Sequence, residues 1–282
     1  MKHKEFVNKL RSSSPDQLVE EYGDGHFSEE GIPVVIAARN EESNIAQLLA
    51  SLAENARQGG TEVRPIVVEN GSEDRTAEIA RRMGATVLHS EAFKLAALQE
   101  GVKFLKDEDQ LDRQVLFTDA DSIVAPTWVG AMAEAAEGTE LTMVGGRSTL
   151  DHGPSKISDM VGRLALRFED MARRLGKKPA VARGDNTALN FANNEEAISW
   201  YLGQDPRRMV YEDDAIGQEF VARGAKFVRM LGHDAVVSSL GDRYTSLKER
   251  LRIVQKGGDE WLFKKYEAEY PGIVFGKYDT DK

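Results

Sequence analysis

The stretch PVVIAARNEE, residues 33–42, decides how this chain is expected to fold. Residues 33–38 are apolar and are bounded by polar residues, which is typical of a short strand buried within a parallel sheet. Apolar side chains then recur at helical spacing: Ile45, Leu48, Leu49 and Leu52. The stretch therefore begins an alternation of strand and helix.

The same alternation continues through the first half of the chain. The pattern predicts strands over 33–38, 63–68, 85–88 and 115–117, with helices beginning at Ile45 and covering 74–83 and 93–106. Further on it predicts helices over 128–137, 157–175, 213–223 and 245–270, and strands over 141–149, 187–191, 226–230 and near 236–237. Such an order implies right-handed crossovers, so we expect an α/β fold whose mainly parallel, Rossmann-like sheet is flanked by helices.

Composition excludes several classes of protein. The 282 residues carry 37 basic and 47 acidic side chains, so the net charge is 37 − 47 = −10, which argues against non-specific nucleic-acid binding. The chain has no Cys, which rules out disulfides and thiolate metal sites. No apolar run approaches the roughly 18–20 residues of a membrane span, and residues 1–10 lack the apolar core of a signal peptide. We therefore expect a cytoplasmic protein without a transmembrane segment.

Polar clusters follow three of the predicted strands. They are Arg39-Asn40-Glu41, Glu69-Asn70-Gly71-Ser72 and Asp119-Ala120-Asp121. Ligands of open parallel sheets bind beyond the carboxyl ends of the strands, and these clusters lie at those ends. The sequence therefore predicts a binding site there.

Asp119 and Asp121 are the sharpest chemical feature. In an extended segment, side chains two residues apart project to one side, and two neighbouring carboxylates are relieved by a shared cation. Hard oxygen ligands favour Mg²⁺ or Mn²⁺, which proteins hold with one or two carboxylates and substrate phosphates. The pair thus indicates a nucleotide diphosphate ligand. The alternative is a solvated acidic turn or a helix cap before Pro126.

Other candidates have structural alternatives. Asn70 ends a predicted strand beside the expected ligand, whereas Ser72 and Asp74 are expected mainly to cap the following helix. Lys94 at a helix start would ordinarily be a solvated side chain.

Three acidic residues precede a helix at 212–214, which is more than helix capping requires. One of them is a candidate general base. His233 is a candidate metal ligand or a surface histidine, and Arg243 is a candidate phosphate contact or part of a solvated helix face.

Seven segments in this order resemble the family 2-like glycosyltransferases of the GT-A fold. They are PVVIAARNEESNI (33–45), ENGSEDRT (69–76), KLAALQEG (94–101), TDAD (118–121), GDNTA (184–188), EDDAIG (212–217) and VSSLGDRY (237–244). The resemblance departs from the family at Asn70, where many members carry Asp, and in the spacing around Arg243.

The resemblance implies a metal-dependent transfer of sugar from a nucleotide-diphospho-sugar to an acceptor hydroxyl, with inversion. The implied donor contacts are Ala38, Arg39, Glu41, Asn70, Lys94, Asp119, Asp121 and Arg243. Asp121 would ligate Mn²⁺ or Mg²⁺ directly, with Asp119 and His233 as further candidates. Asp213 would be the base, and the implied acceptor-side residues are Asn186, Glu212 and Asp214.

The resemblance also suggests a division of the chain and leaves alternatives open. We expect a helical extension over 1–30, a GT-A domain over 31–250 with a donor half (31–122) and an acceptor half (123–250), and a helical tail over 251–282. The alternatives are a retaining enzyme that makes a small glycoside such as a sugar glycerate, a non-catalytic nucleotide-sugar-binding module, and a nucleotidyltransferase. The acceptor and the oligomeric state are unassigned, and a peripheral membrane contact stays open.

Overall fold

The structure, a computed structural model, describes residues 3–23, 26–90, 93–150, 186–206, 212–230 and 236–239. Its helices are α1 His3–Ser12, α2 Pro15–Tyr22, α3 Ile45–Gly59, α4 Thr76–Arg82, α5 Lys94–Asp107, α6 Trp128–Ala135, α7 Glu195–Leu202 and α8 Glu212–Ala222. Its strands are β1 Ile32–Ala38, β2 Val63–Glu69, β3 Thr86–His89, β4 Gln114–Asp119, β5 Ser122–Val124, β6 Thr142–Gly145, β7 Arg147–Leu150, β8 Thr187–Asn190, β9 Lys226–Arg229 and β10 Val236–Ser239. The helices predicted over 157–175 and 245–270 lie outside the described residues.

A seven-stranded sheet in the order β3-β2-β1-β4-β8-β6-β9 organises the fold. β1 pairs in parallel with β2 on one side and β4 on the other, and β2 pairs in parallel with β3. Only β8 runs against its neighbours β4 and β6 within this sheet. The predicted α/β fold with a mainly parallel sheet is confirmed.

Helices cover both faces of this sheet because its central strands are apolar on both sides. Val34 and Ile36 of β1 pack with α3, α4 and α6, whereas Val35 packs with α5. The second face also carries α7 and α8, whose Tyr201 and Phe220 contact Phe191 edge to face. Near-continuous apolar strands therefore hold a three-layer arrangement.

The N-terminal helices pack into the same core. Ser14 and Gln17 form a capping box that begins α2, and Leu18 and Tyr22 of this helix are buried. The Tyr22 hydroxyl donates to Glu54 Oε1 of α3 at 3.0 Å in a buried position. α1 and α2 lie within the segment predicted as a helical extension, and they contact α3, with α2 also contacting α4.

The strand predicted over 141–149 is wrong as a single element. It divides at Gly146 into β6, which belongs to the large sheet, and β7, which joins a second sheet of order β5-β10-β7. Gly146 lies against Asn186, and a Cβ on this glycine would approach Asn186 Oδ1 to 2.1 Å. This close approach is where the chain passes from one sheet to the other.

Gly101 of α5 provides a test of the helix–sheet contact. A Cβ there would lie 2.5 Å from Val35 Cγ1, so we expect Gly101→Ala to lower the free energy of unfolding by ~1–3 kcal/mol despite the better helix propensity of Ala. Urea unfolding measures the change. Gly130→Ala is the matched control, because its Cβ would meet the Thr61 hydroxyl, a side chain that can move. Equal or higher stability of Gly101→Ala would contradict the described packing.

Candidate functional site

The loops after β1 and β2 are joined by reciprocal hydrogen bonds. The backbone amide of Asn40 donates to Ser72 Oγ at 3.1 Å, and the backbone amide of Glu73 donates to Asn40 Oδ1 at 2.9 Å. Asn40 has φ of 54°, a left-handed conformation that Asn tolerates better than most residues. The Glu41 amide donates to Thr76 Oγ1 at 2.8 Å. The two loops therefore form one unit at the carboxyl edge of the sheet.

Asp74 is the acidic member of this unit. It accepts hydrogen bonds from the Glu42 amide at 3.1 Å and from the Thr76 amide at 2.9 Å, as well as from the Thr76 hydroxyl. Partial burial alone would raise the pKa of Asp74, but these hydrogen bonds outweigh it and lower the pKa below its ordinary value. The predicted capping is correct in part for Asp74, which binds the first amide of α4. It is wrong for Ser72, whose hydroxyl binds the neighbouring loop.

The Glu69 carboxylate, at the end of β2, is bound by Ser72 and His89. Its side chain accepts from the Ser72 amide through one oxygen, and its other oxygen lies 3.0 Å from His89 Nδ1. Burial alone would raise the pKa of Glu69, but the bonds from Ser72 and His89 lower it below its ordinary value. Both carboxylate oxygens are thus engaged, and the adjacent Asn70 is the more suitable ligand contact.

Asn70 has a side-chain amide oxygen that is buried without a hydrogen-bond partner in the described part of the chain. The residue is 6% exposed, and its Oδ1 has no hydrogen-bond partner among the described residues. Its backbone amide continues the ladder by donating to the Ala38 carbonyl at 3.0 Å. Buried polar atoms normally have partners, so an unpaired one beside a predicted ligand site indicates a contact that a ligand would complete.

Lys94 and Asp119 meet on the α5 side of the sheet. In the register of β1 with β4, Ala37 lies beside Asp119. Lys94 Nζ, at the start of α5, lies 2.7 Å from Asp119 Oδ1, and both side chains are about one third exposed, at 37% and 33%. The alternative of a solvated Lys94 is therefore wrong, because this lysine is paired with an acidic residue of the site.

Asp121 lies in the turn that follows. Ala120 and Asp121 connect β4 to β5, so the extended conformation assumed for residues 119–121 is wrong. The turn is held from behind by polar residues of α3. Ser51 Oγ accepts from the Val124 amide at 3.2 Å, and Asn55 donates to the Ala125 carbonyl at 2.9 Å. Sequence reasoning missed these anchors, because Ser51 and Asn55 lie within an apolar helix pattern.

The chemistry of these side chains fits a divalent cation that is shared with a ligand. Among the described residues, no group of three or more His, Asp or Glu side chains could hold a metal ion. A pair of carboxylates completed by phosphate oxygens is the usual arrangement for Mg²⁺ and suits Mn²⁺. Ser122 Oγ, buried next to Asp121, also has no hydrogen-bond partner in the described part of the chain. The residues therefore fit the predicted cation together with a diphosphate.

Helix α8 begins with Glu212, Asp213 and Asp214. It packs on the same sheet face as α5 through Ile216 and Phe220. The chain leaves α8 into β9, whose first amide, that of Lys226, bonds the Leu141 carbonyl just before β6. β6 and β9 run parallel to β4, so α8 ends at the edge where these strands begin. Its first turn therefore lies toward the carboxyl edge, where Asp119 is found.

Several predicted residues have other surroundings. Asn186 is fully buried, and its Oδ1 accepts from Trp128 Nε1 at 2.8 Å, so it lies in the interior rather than on an open acceptor surface. Glu41 is 9% exposed and accepts from Asn44 Nδ2 at 2.8 Å. Ala38 is buried, whereas Arg39 is exposed beside it.

His233 and Arg243 lie outside the described residues. The nearest described element is β10, which pairs antiparallel with β5 and sets Ser239 opposite Ser122, next to Asp121. No helix in the described ranges has the length and apolarity needed to cross a bilayer.

Comparison with known proteins identifies the class. The mannosyltransferase PcManGT from Pyrobaculum calidifontis superposes with a TM-score of 0.55 at 16% identity, covering 93% of this chain and 75% of that one, which places this fold among the GT-A glycosyltransferases. Residues 34–196, more than half of the chain, match the glycosyl transferase family 2 model. The protein belongs to glycosyl transferase family 2, and the predicted family and enzyme class are confirmed.

Two further similarities are more limited. A stretch of 58 residues is 48% identical to 4,4′-diaponeurosporenoate glycosyltransferase from Staphylococcus haemolyticus (strain JCSC1435) and covers 21% of this chain but only 14% of that relative. Glucosyl-3-phosphoglycerate synthase from Mycobacterium tuberculosis aligns over 87% of this chain and 81% of its own, with a TM-score of 0.47 and 17% identity.

The contribution of Asp74 to the free energy of unfolding is expected to depend on pH. Protonation removes the charge of Asp74, and Asp74→Asn imitates that state, so we expect the wild type to be more stable than the variant by about 1–2 kcal/mol at pH 7. Because the folded-state pKa of Asp74 is lowered, this advantage is complete above about pH 4 and is lost as the pH falls further. Urea unfolding between pH 7 and pH 3 measures it. Asp112→Asn, at an exposed position, is the control, and a gap independent of pH would contradict the assignment.

Proposed function

We propose that this protein transfers a sugar from a nucleotide-diphospho-sugar to an acceptor hydroxyl, with inversion of the anomeric carbon and with a bound Mn²⁺ or Mg²⁺. The observation that carries the proposal is the Lys94–Asp119 pair at the carboxyl edge of the sheet, with the unpaired amide oxygen of Asn70 nearby in the same edge. The solved mannosyltransferase of the same fold contains GDP-mannose and Mn²⁺, which is consistent with the proposal.

Parallel strand pairing supports the donor half of the proposal. The register places Ala38 beside Glu69, and Ala37 beside Asp119, so the ends of three strands meet at one edge. The nucleoside would contact the Ala38–Arg39 segment and Asn70, whose amide can accept one hydrogen bond and donate another. Glu41 is buried in the β1 loop and would act by holding that loop.

The diphosphate would lie between Lys94 and the acidic turn. Asp121, with Asp119 beside it, would hold the cation, and His233 stays a candidate for a further ligand. When bound, the cation offsets negative charge on the departing diphosphate. Lys94 would donate to diphosphate oxygens. Arg243 follows Ser239 by four residues, within roughly 14 Å of extended chain, and would clamp the same group.

Asp213 would act as the general base. It would take the proton of the acceptor hydroxyl while that oxygen attacks the anomeric carbon and the bond to the diphosphate breaks. The placement of the first turn of α8 toward the carboxyl edge, on the sheet face of Lys94, supports this role. Glu212 and Asp214 would raise the proton affinity of Asp213 by like-charge repulsion.

The acceptor is left to experiment. The relative from Staphylococcus haemolyticus is named for 4,4′-diaponeurosporenoate, but the matching region is 14% of that protein. Asn186 would shape the acceptor side from the interior, through Trp128 at the start of α6. The cytoplasmic location and the absence of nucleic-acid binding stay predictions.

The role of Asp121 is testable by nucleotide binding. We expect Asp121→Ala to lose the gain in uridine diphosphate affinity that Mn²⁺ confers, because the cation would lose its direct protein ligand. Isothermal titration calorimetry with and without Mn²⁺ measures this gain. Asp112→Ala, which precedes β4 at the opposite edge, controls for loss of an acidic charge. An unchanged Mn²⁺ dependence in Asp121→Ala would remove Asp121 from the site.

The role of Asp213 is testable by turnover. We expect Asp213→Asn to retain nucleotide binding and to lose transfer by at least ~10²-fold, the usual scale for a positioned base. Asp112→Asn serves as the matched control, and NMR of the wild-type product gives its anomeric configuration. Retention of configuration would favour the sugar-glycerate type of enzyme over the proposed mechanism. Full turnover by the variant would exclude Asp213 as the base, and a wild type that binds donor without transferring it would be a binding module.

A further inference from the structure

We propose that Lys94 couples the binding of the divalent cation to the binding of the donor, by suppressing capture of the cation alone. The inference rests on the proposed function, because it concerns the same site. It adds that, before the donor binds, the positive charge beside Asp119 is the Lys94 ammonium rather than a metal ion.

The geometry of the pair is the first step. Lys94 Nζ lies 2.7 Å from Asp119 Oδ1, a distance typical of a charge-assisted hydrogen bond. The lysine is the first residue of α5, a helix that packs on β1, β2 and β3. Asp119 is the last residue of β4, which pairs with β1. Rigid elements therefore set both ends of the ion pair.

The charges of the site give the second step. Counted by themselves, the carboxylates of Asp119 and Asp121 and the ammonium of Lys94 carry one net negative charge. A divalent cation alone would turn this into one positive charge, and a donor diphosphate alone, with two negative charges, would make it three negative. Cation and donor together restore the resting balance. For these three groups, joint binding of cation and donor is therefore electrostatically favoured over binding of either one alone.

Removal of the ammonium changes this balance. The Lys94 ammonium repels a divalent cation that binds at Asp119, so its removal would raise the affinity for the cation in the absence of nucleotide. A unit charge about 5 Å from a divalent ion, in a water-like dielectric, changes its affinity by about tenfold. The complex with nucleotide would in turn lose the contact between Lys94 and the diphosphate.

Binding of Mn²⁺ without nucleotide tests the inference directly. The free-ion signal in electron paramagnetic resonance gives the Mn²⁺ affinity of the protein at low ionic strength. We expect Lys94→Met to bind Mn²⁺ about tenfold more tightly than the wild type, and Lys94→Arg, which keeps the charge, to resemble the wild type. Lys103→Met is the matched control, since Lys103 pairs with Asp107 on the same helix, roughly 13 Å further along its axis.

A second measurement separates this inference from the proposed function. Calorimetry with uridine diphosphate gives the gain in nucleotide affinity that Mn²⁺ confers, and we expect this gain to be smaller in Lys94→Met than in the wild type. Equal affinity of Lys94→Met and wild type for Mn²⁺ alone would overturn the coupling role, even if the wild type binds nucleotide with Mn²⁺. A wild type without any Mn²⁺-dependent nucleotide binding would instead overturn the proposed function, and the coupling with it.

Discussion

Parallel pairing of β1 with both β2 and β4 is the constraint on which the candidate site depends. It brings the carboxyl ends of three strands to one edge, so that Ala38 lies beside Glu69 and Ala37 beside Asp119. A shift of one residue in the register of β1 with β4 would turn Asp119 to the opposite face of the sheet, away from Lys94. Such a shift would also disrupt the packing of β1, because Val34 and Ile36 are buried in one core cluster and Val35 in the other.

Several polar side chains at this edge support the loops by hydrogen bonds within the protein. Ser72, Asp74 and Thr76 hold the β1 loop through its amides, and Ser51 and Asn55 hold the segment after Asp121 from within α3. Polar groups that the sequence motifs alone would suggest as ligand contacts therefore form hydrogen bonds within the protein. The residues that we propose for ligand binding are a different set: Asn70, Lys94, Asp119 and Asp121.

Sequence patterns predicted the enzyme class and the mainly parallel sheet, because apolar strands with polar ends are local features. They did not predict the partners of residues that lie far away along the chain. The sequence left Lys94 open between a solvated side chain and a donor contact, and the structure pairs it with Asp119 at 2.7 Å. Asn186 was predicted on the acceptor side, and its hydrogen bond from Trp128 in the interior was not predicted. The helix over 128–137 and the strand over 187–191 were predicted correctly in place and type, whereas the strand over 141–149 was not, because it breaks at Gly146, which lies against the distant Asn186.

The amino-acid sequence by itself determined the alternation of strands and helices, the acidic residues after β4 and the family, since hydrophobic periodicity and short motifs are written in neighbouring positions. Only the tertiary structure decided which polar groups support the loops. It also decided that a lysine of α5 neutralises one of the two carboxylates. The physical reason is that hydrogen bonds and ion pairs act over about 3–4 Å, so their partners are known only after distant segments have been packed together.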